Sequence, residues 1–433
     1  SVKINASATD FVGYTDFACD AKVLAIVNAD GELVDMLGAG DSGTLVLDKT
    51  PFYARSGGQV GDSGVIKNGA DNAFIVADTV KNADKIFLHR GEVTRGIISV
   101  GDTVQAEINA ERRRSIMRNH TAAHLLQAAL RQVLGTPVEQ AGQLVDEREV
   151  RFDFTHFNAM TRDELLKVEH LVNAFIMGAH PVESMEMPID EAKKLGAMML
   201  FGEKYGNIVR VVKAGDFSTE FCGGTHVSNS GQIGLFHIVS EASVASGVRR
   251  ITALTGSNVL AHIYQADGML SGAAAMLRSA VHDLPEKLAA LADSDKAKDK
   301  EIKSLKEELA HLKSADLFAA PVDLDGLAFY TATLTDVAPD ALRSMGDELK
   351  NKGDNVVAEV AGVNGEKANI VAVCGKEAIA RGVKAGDVVR EIAKLAGGGG
   401  GGRPDSAMAG CKNVDKLPDA MAQAAALVRD MIQ

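Results

Sequence analysis

The sequence has no apolar run approaching the ~20 residues that a membrane-crossing helix needs, which excludes a helical integral membrane protein. Ser1 to Asp20 lacks a basic stretch followed by an apolar block, so no secretory signal is read there. Cysteine is scarce. Cys19, Cys222, Cys374 and Cys411 are scattered without framework spacing, which points to a reduced, cytoplasmic setting over a disulfide scaffold. An excess of positive charge is missing as well: 46 Lys and Arg against 58 Asp and Glu leave a net charge of −12. Bulk charge therefore implies no nucleic-acid partner, and any such partner would be held by local basic patches. No repeat period is visible. No Met opens the chain, from which we expect Ser1 to lie inside a longer parent or an engineered chain. What is present is ordinary globular composition, 46% hydrophobic and 24% charged over 433 residues, enough for roughly three domains.

The expected fold class is multidomain α+β. Residues 1–108 read as a small β-barrel, with short apolar runs at Lys22 to Val27, Gly43 to Leu47, Ala73 to Val80, Lys85 to Leu88 and Thr103 to Ile108. Asp30-Gly31, Asn68-Gly69 and Gly101-Asp102 break them as turns do, and the barrel carries no evident chemistry of its own. Residues 109–256 change period and read as an α+β domain. A helix runs from Glu111 to Leu134, ending at Gly135, and Val150 to Phe154 alternates as a strand. Thr161-Arg162-Asp163-Glu164 is a capping box for a helix to about Gly178. Strands are expected at Ile208 to Val212, Ile233 to Val239 and Val248 to Leu254. Residues 257–315 read as a helical connector: Leu277 to Ser314 holds eight basic and eight acidic residues, and Ile302, Leu305, Leu309 and Leu312 keep 3/4 spacing for less than two heptads. That pattern fits a solvated helix and a coiled-coil contact equally. Residues 316–433 alternate strand and helix as an α/β domain. It has strands at Leu327 to Leu334, Val356 to Val360 and Ala368 to Cys374, and helices near Asp340 to Lys350, Asp387 to Leu395 and Asp415 to Ile432.

The chemistry concentrates in two places. Arg118-Asn119-His120-Thr121-Ala122-Ala123-His124 sets two imidazoles four residues apart on one helical face, close enough to share an ion. Far downstream, Cys222-Gly223-Gly224-Thr225-His226 offers a thiolate and a third imidazole, with glycines that let the backbone fold tightly. Three imidazoles and one thiolate form a zinc-type ligand set. A zinc peptidase needs Glu directly after the first His, and Thr121 stands there, so peptidase chemistry is disfavoured. Glu220, the one carboxylate beside either half, reads either as within reach of the site or as facing solvent.

Asn119 to Leu126, together with Phe221 to Val227, resembles the editing domain of alanyl-tRNA synthetase, whose relatives are the free-standing AlaX trans-editing proteins and the matching domain of threonyl-tRNA synthetase. Thr50 to Ala54, Gly58-Gln59-Val60-Gly61-Asp62, Arg151 to Phe154 and Gly247 to Ile251 are similar in order and spacing. The run Gly397 to Gly402 followed by Arg403-Pro404-Asp405 resembles the C-terminal domain that these synthetases share with DHH-type phosphoesterases. The resemblance covers nearly the whole chain and corresponds to the C-terminal half of a bacterial alanyl-tRNA synthetase, without the aminoacylation domain. Arg55, Gln143, Thr252 and Cys411 depart from the family's usual Glu, Ser, Glu and Gly.

The resemblance implies hydrolysis of the ester joining serine or glycine to the 3′ end of tRNA(Ala), with Zn2+ at His120, His124, Cys222 and His226. The physical need is plain. A site for alanine excludes glycine poorly, because a missing methyl is worth only about 1–3 kcal/mol, and it rejects serine poorly as well. A second site that demands the hydroxyl can reject alanine. If all four residues ligate, the ion positions substrate; with one displaced, it activates water. Thr121 reads either as the reader of the serine hydroxyl or as an ordinary helix residue. Gln140 matches a family pocket position and would orient water or the 3′ ribose. Arg112, Arg113, Arg114 and Arg118, with Arg249 and Arg250, are candidate phosphate contacts or, equally, a solvated face. By resemblance the C-terminal domain, including Arg403, binds the outer corner of tRNA and contributes to a homodimer. The glycine run lacks the Lys-Ser/Thr of a phosphate loop and reads as a structural loop allowing close backbone approach. Other readings are an AlaX-type deacylase, a non-catalytic tRNA-binding module with structural zinc, and a DHH-type phosphodiesterase, which lacks its Asp-rich motifs.

Overall fold

Short strands between tight turns can bury their apolar faces together only by curling into a closed sheet. In the computed structural model, which describes residues 3–199 and 206–433 (for 310, 311 and 313–317 the backbone alone), the first hundred residues do so. Six strands, β1 (Ala18–Asn28), β2 (Ser42–Leu47), β3 (Gly64–Asn68), β4 (Asn72–Lys81), β5 (Phe87–Arg95) and β6 (Thr103–Ile108), close in the order β1-β2-β5-β4-β3-β6 and back to β1. Val104, Ala106 and Ile108 alternate inward to join Val23, Ile26, Leu45 and Phe74. The turns at Asn68-Gly69 and Gly101-Asp102 place their glycines at φ 70° and 90°. Two strand expectations need correction. The strand expected at Lys85 begins at Phe87, because Lys85 sits at φ 61° in a turn whose Asn82 side chain accepts from the Asp84 and Ile86 amides. Gly64–Asn68 is a strand that the apolar runs do not announce.

The barrel shares one compact unit, Ser1–Leu270, with the α+β segment that follows. Helix α1 (Ala110–Leu134) is capped by Asn109, whose side chain accepts from the Arg112 amide, and stops at Gly135. It packs on an antiparallel sheet β7-β8-β13-β12, formed by β7 (Gln140–Val145), β8 (Val150–Thr155), β12 (Phe236–Ala245) and β13 (Val248–Thr255), and on α2 (Arg162–Met177). Both reciprocal bonds of the Thr161–Glu164 capping box are present. A second, three-stranded sheet joins β9 (Val182–Pro188), β10 (Ile208–Ala214) and β11 (Ser218–Phe221) in that order. Phe152 and Phe154 alternate into the core beside Leu125, Leu126 and Ile251. The strand expected from Ile233 starts at Phe236, because Ser230–Ile233 is a 3-10 turn.

Helix α3 (Ser257–Met276) and helix α4 (Leu284–Leu317) cover the expected connector, and Ile302, Leu305, Leu309 and Leu312 are exposed on α4. The unit Ser271–Gln433 contains one mixed sheet. Its strands are β14 (Val322–Leu324), β15 (Leu327–Thr335), β16 (Val356–Asn364), β17 (Lys367–Cys374), β18 (Gly399–Gly402) and β19 (Ser406–Cys411), in the order β14-β15-β16-β17-β19-β18. Only β15 and β16 pair in parallel, across the helix α5 (Pro339–Lys350). Helix α6 (Ala385–Leu395) lies against β17, β18 and β19. The C-terminal helix expected over Asp415 to Ile432 is broken into α7 (Leu417–Ala422) and α8 (Ala424–Met431). The glycine run is also corrected: Gly399–Gly402 is an exposed edge strand, not a loop. Among the described residues no helix is long and apolar enough to cross a membrane.

Candidate metal centre

Helical spacing puts His120 and His124 on one buried face of α1, with ring centroids 5.3 Å apart. The segment after β11 turns back on that face. Cys222 Sγ lies 3.4 Å from His120 Nε2 and 3.3 Å from His226 Nε2. One ligand atom from each of His120, His124, Cys222 and His226 lies within 4.8 Å of the others. A tetrahedral zinc, with bonds of about 2.3 Å to sulfur and 2.0–2.1 Å to nitrogen, would set S and N about 3.6 Å apart, so the donor set fits the ion in type and the Cys222–His120 and Cys222–His226 separations fit it in spacing. Gly224 makes the convergence possible: a Cβ there would stand 2.1 Å from His120 Cε1. Burial pushes His124 down to about 3, and drives His120 and His226 well below the usual imidazole range, with neighbouring rings and Arg210 adding to it. The rings are thus neutral at pH 7, as ligation requires.

Each ring's other nitrogen faces a side chain. His120 Nδ1 is 2.7 Å from Gln59 Oε1, His226 Nδ1 is 3.0 Å from the Thr121 hydroxyl, and His124 Nδ1 is 3.7 Å from Glu220 Oε2. Such outward partners orient metal-binding imidazoles. Thr121 also accepts from the Val227 amide, and it does not line the adjoining cavity. Thr121 thus stands behind the His226 ring, with His226 and the Val227 amide as partners of its hydroxyl. Glu220 faces the site and not solvent; burial pushes its carboxyl up to about 8, against a hydrogen bond from Ser218.

A cavity of about 280 Å³ opens beside the four donors, lined by His120, His124, Cys222, Gln140, Gln143, Glu220, Tyr53, Ile208 and Arg210 among others. Gln140, at the start of β7, stands on its wall. Arg210 donates to the carbonyls of Cys222 and Gly224 at 3.0 and 2.7 Å, and its guanidinium lies 3.9 Å from the Tyr14 ring centroid. The Tyr14 hydroxyl donates to the Gly223 carbonyl at 2.7 Å. Tyr14 and Gln59 both come from the barrel segment, which corrects the expectation that it carries no chemistry. Arg210 and Tyr14 gave no sequence signal, whereas Gln59 sat inside the Gly58 to Asp62 motif.

The candidate phosphate-binding arginines do not act as one patch. Arg113 is buried, with its guanidinium paired to Asp62 and donating to the Gly13 and Pro51 carbonyls, so it is withdrawn as a phosphate contact. Arg249 is paired with Glu241, and Arg250 donates twice to Asp153, at 2.7 and 2.9 Å. These strand-to-strand pairs use the charges locally. Arg112 bridges Glu147 and the Gly61 carbonyl, Arg118 reaches Ser115, and Arg114 is exposed. Arg403 is exposed in the hairpin between β18 and β19.

Three family models match the chain in order: tRNA synthetases class II (A) over residues 1–112, the threonyl and alanyl tRNA synthetase second additional domain over 209–252, and the DHHA1 domain over 326–430. Curated alanine–tRNA ligases match it almost end to end. That of Acetivibrio thermocellus is 46% identical over 98% of this chain, and that of Methylobacillus flagellatus 44% identical over all of it. The chain belongs to the alanyl-tRNA synthetase family. It spans about half the length of these relatives, 48% and 49% respectively. The C-Ala domain structure of the Aquifex aeolicus alanyl-tRNA synthetase is 32% identical over 25% of this chain and 96% of that one, with a TM-score of 0.24. Within this synthetase family chain, Cys222 and His226 fall in the segment matched by the second additional domain, while His120 and His124 precede it.

Proposed function

We propose that this centre is an editing site that hydrolyses the ester of Ser-tRNA(Ala) and Gly-tRNA(Ala). The observation that carries the reading is the convergence of His120, His124, Cys222 and His226 at the wall of a small cavity that Gln140 and Arg210 also line. Zinc held by all four would position the substrate, and with one donor displaced it would polarise an ester carbonyl or acidify a water. The chain's own groups do the rest. The Gln140 amide offers a donor and an acceptor to the terminal ribose or a water, Arg210 holds the ligand loop in shape, and the cavity admits an aminoacyl group while leaving the nucleotides outside. Arg112, Arg114 and Arg118, before His120 on α1, are the arginines we assign to the incoming phosphates. Arg403 and residues 316–433 are assigned to more distant tRNA contacts, and the exposed leucines of α4 to a second copy. The reading divides the chain into a barrel (1–108), an editing domain (109–256), a connector (257–315) and a C-terminal domain (316–433).

One observation favours a second reading: four protein donors complete a tetrahedron, the pattern of a structural zinc. Single-turnover deacylation of Ser-tRNA(Ala) separates the two. Editing predicts hydrolysis far faster than for Ala-tRNA(Ala), and a loss of more than about 100-fold in His120→Ala or Cys222→Ala proteins that remain folded. Equal rates in intact and metal-stripped protein would refute it.

A further inference from the structure

We infer that Gln59 is a positioning residue of the metal centre: it locks His120 in the tautomer whose Nε2 lone pair faces the other three donors, so the barrel completes a site built on α1 and the Cys222 loop. The inference rests on reading His120, His124, Cys222 and His226 as a cation site, and not on the ester chemistry.

Hydrogen-bond accounting leaves one solution. Gln59 is fully buried. One end of its amide is 2.9 Å from the Thr225 backbone nitrogen and 2.7 Å from His120 Nδ1. A backbone N–H can only donate, so that end is the oxygen, and the orientation of the amide is settled by its partner. The other end then donates to the Thr225 hydroxyl at 2.9 Å. An oxygen at 2.7 Å from Nδ1 requires the proton on Nδ1, because two acceptors would repel. Nε2 is left bare, 3.4 Å from the Cys222 sulfur. The other two rings are held less firmly. A hydroxyl such as that of Thr121 can donate or accept, and Glu220 at 3.7 Å is beyond hydrogen-bond distance. Gln59 is itself fixed by paired bonds with Ser56 and by a bridge to Val145 on β7. The absent side chain of Gly224 lets its amide and the His120 ring meet there, since a Cβ would lie 2.9 Å from Gln59 Oε1.

The test compares Gln59→Met and Gln59→Glu in the full chain, reading Zn2+ affinity by chelator competition and the urea midpoint of the metal-free protein. Methionine removes the acceptor and is expected to weaken Zn2+ binding about 10–100-fold. Glutamate keeps an acceptor on Nδ1 and is expected to bind Zn2+ at or above the wild-type affinity, while its buried charge lowers the metal-free midpoint below that of the methionine variant. Affinity that simply follows the midpoints, or an unchanged affinity in Gln59→Met, overturns the inference. Should neither variant fold, 15N-histidine NMR of the unsubstituted metal-free protein decides: His120 protonated at Nδ1 supports the assignment, and the Nε2–H form overturns it. Wild-type protein that binds no Zn2+ sinks the cation site and this inference together. Zinc binding without Ser-tRNA(Ala) hydrolysis removes only the editing reading.

Discussion

The two units of the chain bury charge in opposite ways. In Ser1–Leu270, Arg113 and Asp62 are both buried, and each is fully engaged: the guanidinium also donates to two carbonyls, and Asp62 also accepts from the Tyr53 amide at 2.8 Å. The pair ties the barrel to α1 two turns before His120, so polar burial here builds the platform of a site. In Ser271–Gln433, Glu359 is completely buried on β16 with no partner for either carboxylate oxygen, opposite Ala372 in the sheet register. Burial pushes its carboxyl up to about 8, the same value that Glu220 reaches beside the metal centre. Equal acidities thus accompany unequal surroundings. Glu220 has Ser218 and His124 as neighbours and a cavity wall to occupy, whereas Glu359 lies between Thr331 and Ala372 in the sheet and its carboxyl bonds to neither. A perturbed carboxyl marks a site only when chemistry stands next to it.

Removing one member of the engaged pair should give the largest effect. Arg113→Ala strands a buried carboxylate and is expected to cost about 3–5 kcal/mol in urea denaturation, with Zn2+ affinity falling as α1 loses its anchor. A cost below about 1 kcal/mol, the range of exposed pairs, would mean that the barrel and α1 are not held by this contact. The lone charge should behave with the opposite sign. Glu359 is protonated in the folded protein up to about pH 8 and ionised in the unfolded chain above about 4.5, so the unfolded state binds fewer protons between those values. Stability contributed by the neutral acid is therefore full below pH 4.5 and declines as pH rises toward 8. Glu359→Met is expected to stabilise by roughly 1–4 kcal/mol at about pH 8.5 and by distinctly less at about pH 5, since each tenfold difference in proton affinity between the folded and unfolded chains is worth about 1.4 kcal/mol. A pH-independent difference would contradict the burial of an unpaired acid.

How much of this was legible follows from how far apart the partners lie in sequence. The donor set could be read because each half is local: two imidazoles one helical turn apart, and a thiolate and an imidazole flanking two glycines. The capping box of α2 and the turns at Gly69 and Gly101 were legible for the same reason. What failed was long-range. Gln59 and His120 are 61 positions apart, so nothing local joins them. Arg113 sat inside a basic triplet, which reads as a solvated face until Asp62 arrives from the barrel. Thr121 lay between two ligands, yet its hydroxyl direction depends on where His226 returns. Strand β7 begins Gln140-Ala-Gly-Gln, polar and interrupted by a register shift between Gln140 and Gly142, so it carried no alternation to detect. The glycine strand β18 was invisible because low complexity normally means a linker; its pairing is decided by β19.

That strand and the metal loop supply the finest comparison, since each sets a crowded glycine beside an open one. In the loop, a Cβ on Gly224 would collide with the His120 ring, whereas one on Gly223 meets only the Tyr14 hydroxyl, at 4.0 Å. Gly224→Ala should therefore abolish tight Zn2+ binding, measured by chelator competition, and Gly223→Ala should preserve it. In β18, a Cβ on Gly400 would lie 2.4 Å from Ala409 Cα, while one on Gly399 meets nothing within 4 Å. Gly400→Ala is expected to cost about 1–3 kcal/mol, as overpacking does, because the obstacle is backbone and cannot rotate away. Gly399→Ala should stay within about 0.5 kcal/mol of wild type, since neither its φ nor its surroundings penalise a methyl. Equal losses at 399 and 400 would mean that β18 needs glycine for its backbone freedom alone. A loss confined to 400 would mean that the strand is glycine because β19 lies too close for anything larger. Zinc affinity should be indifferent to both substitutions, and this separates the two glycine clusters: one admits ligands to a point, the other admits a neighbouring strand.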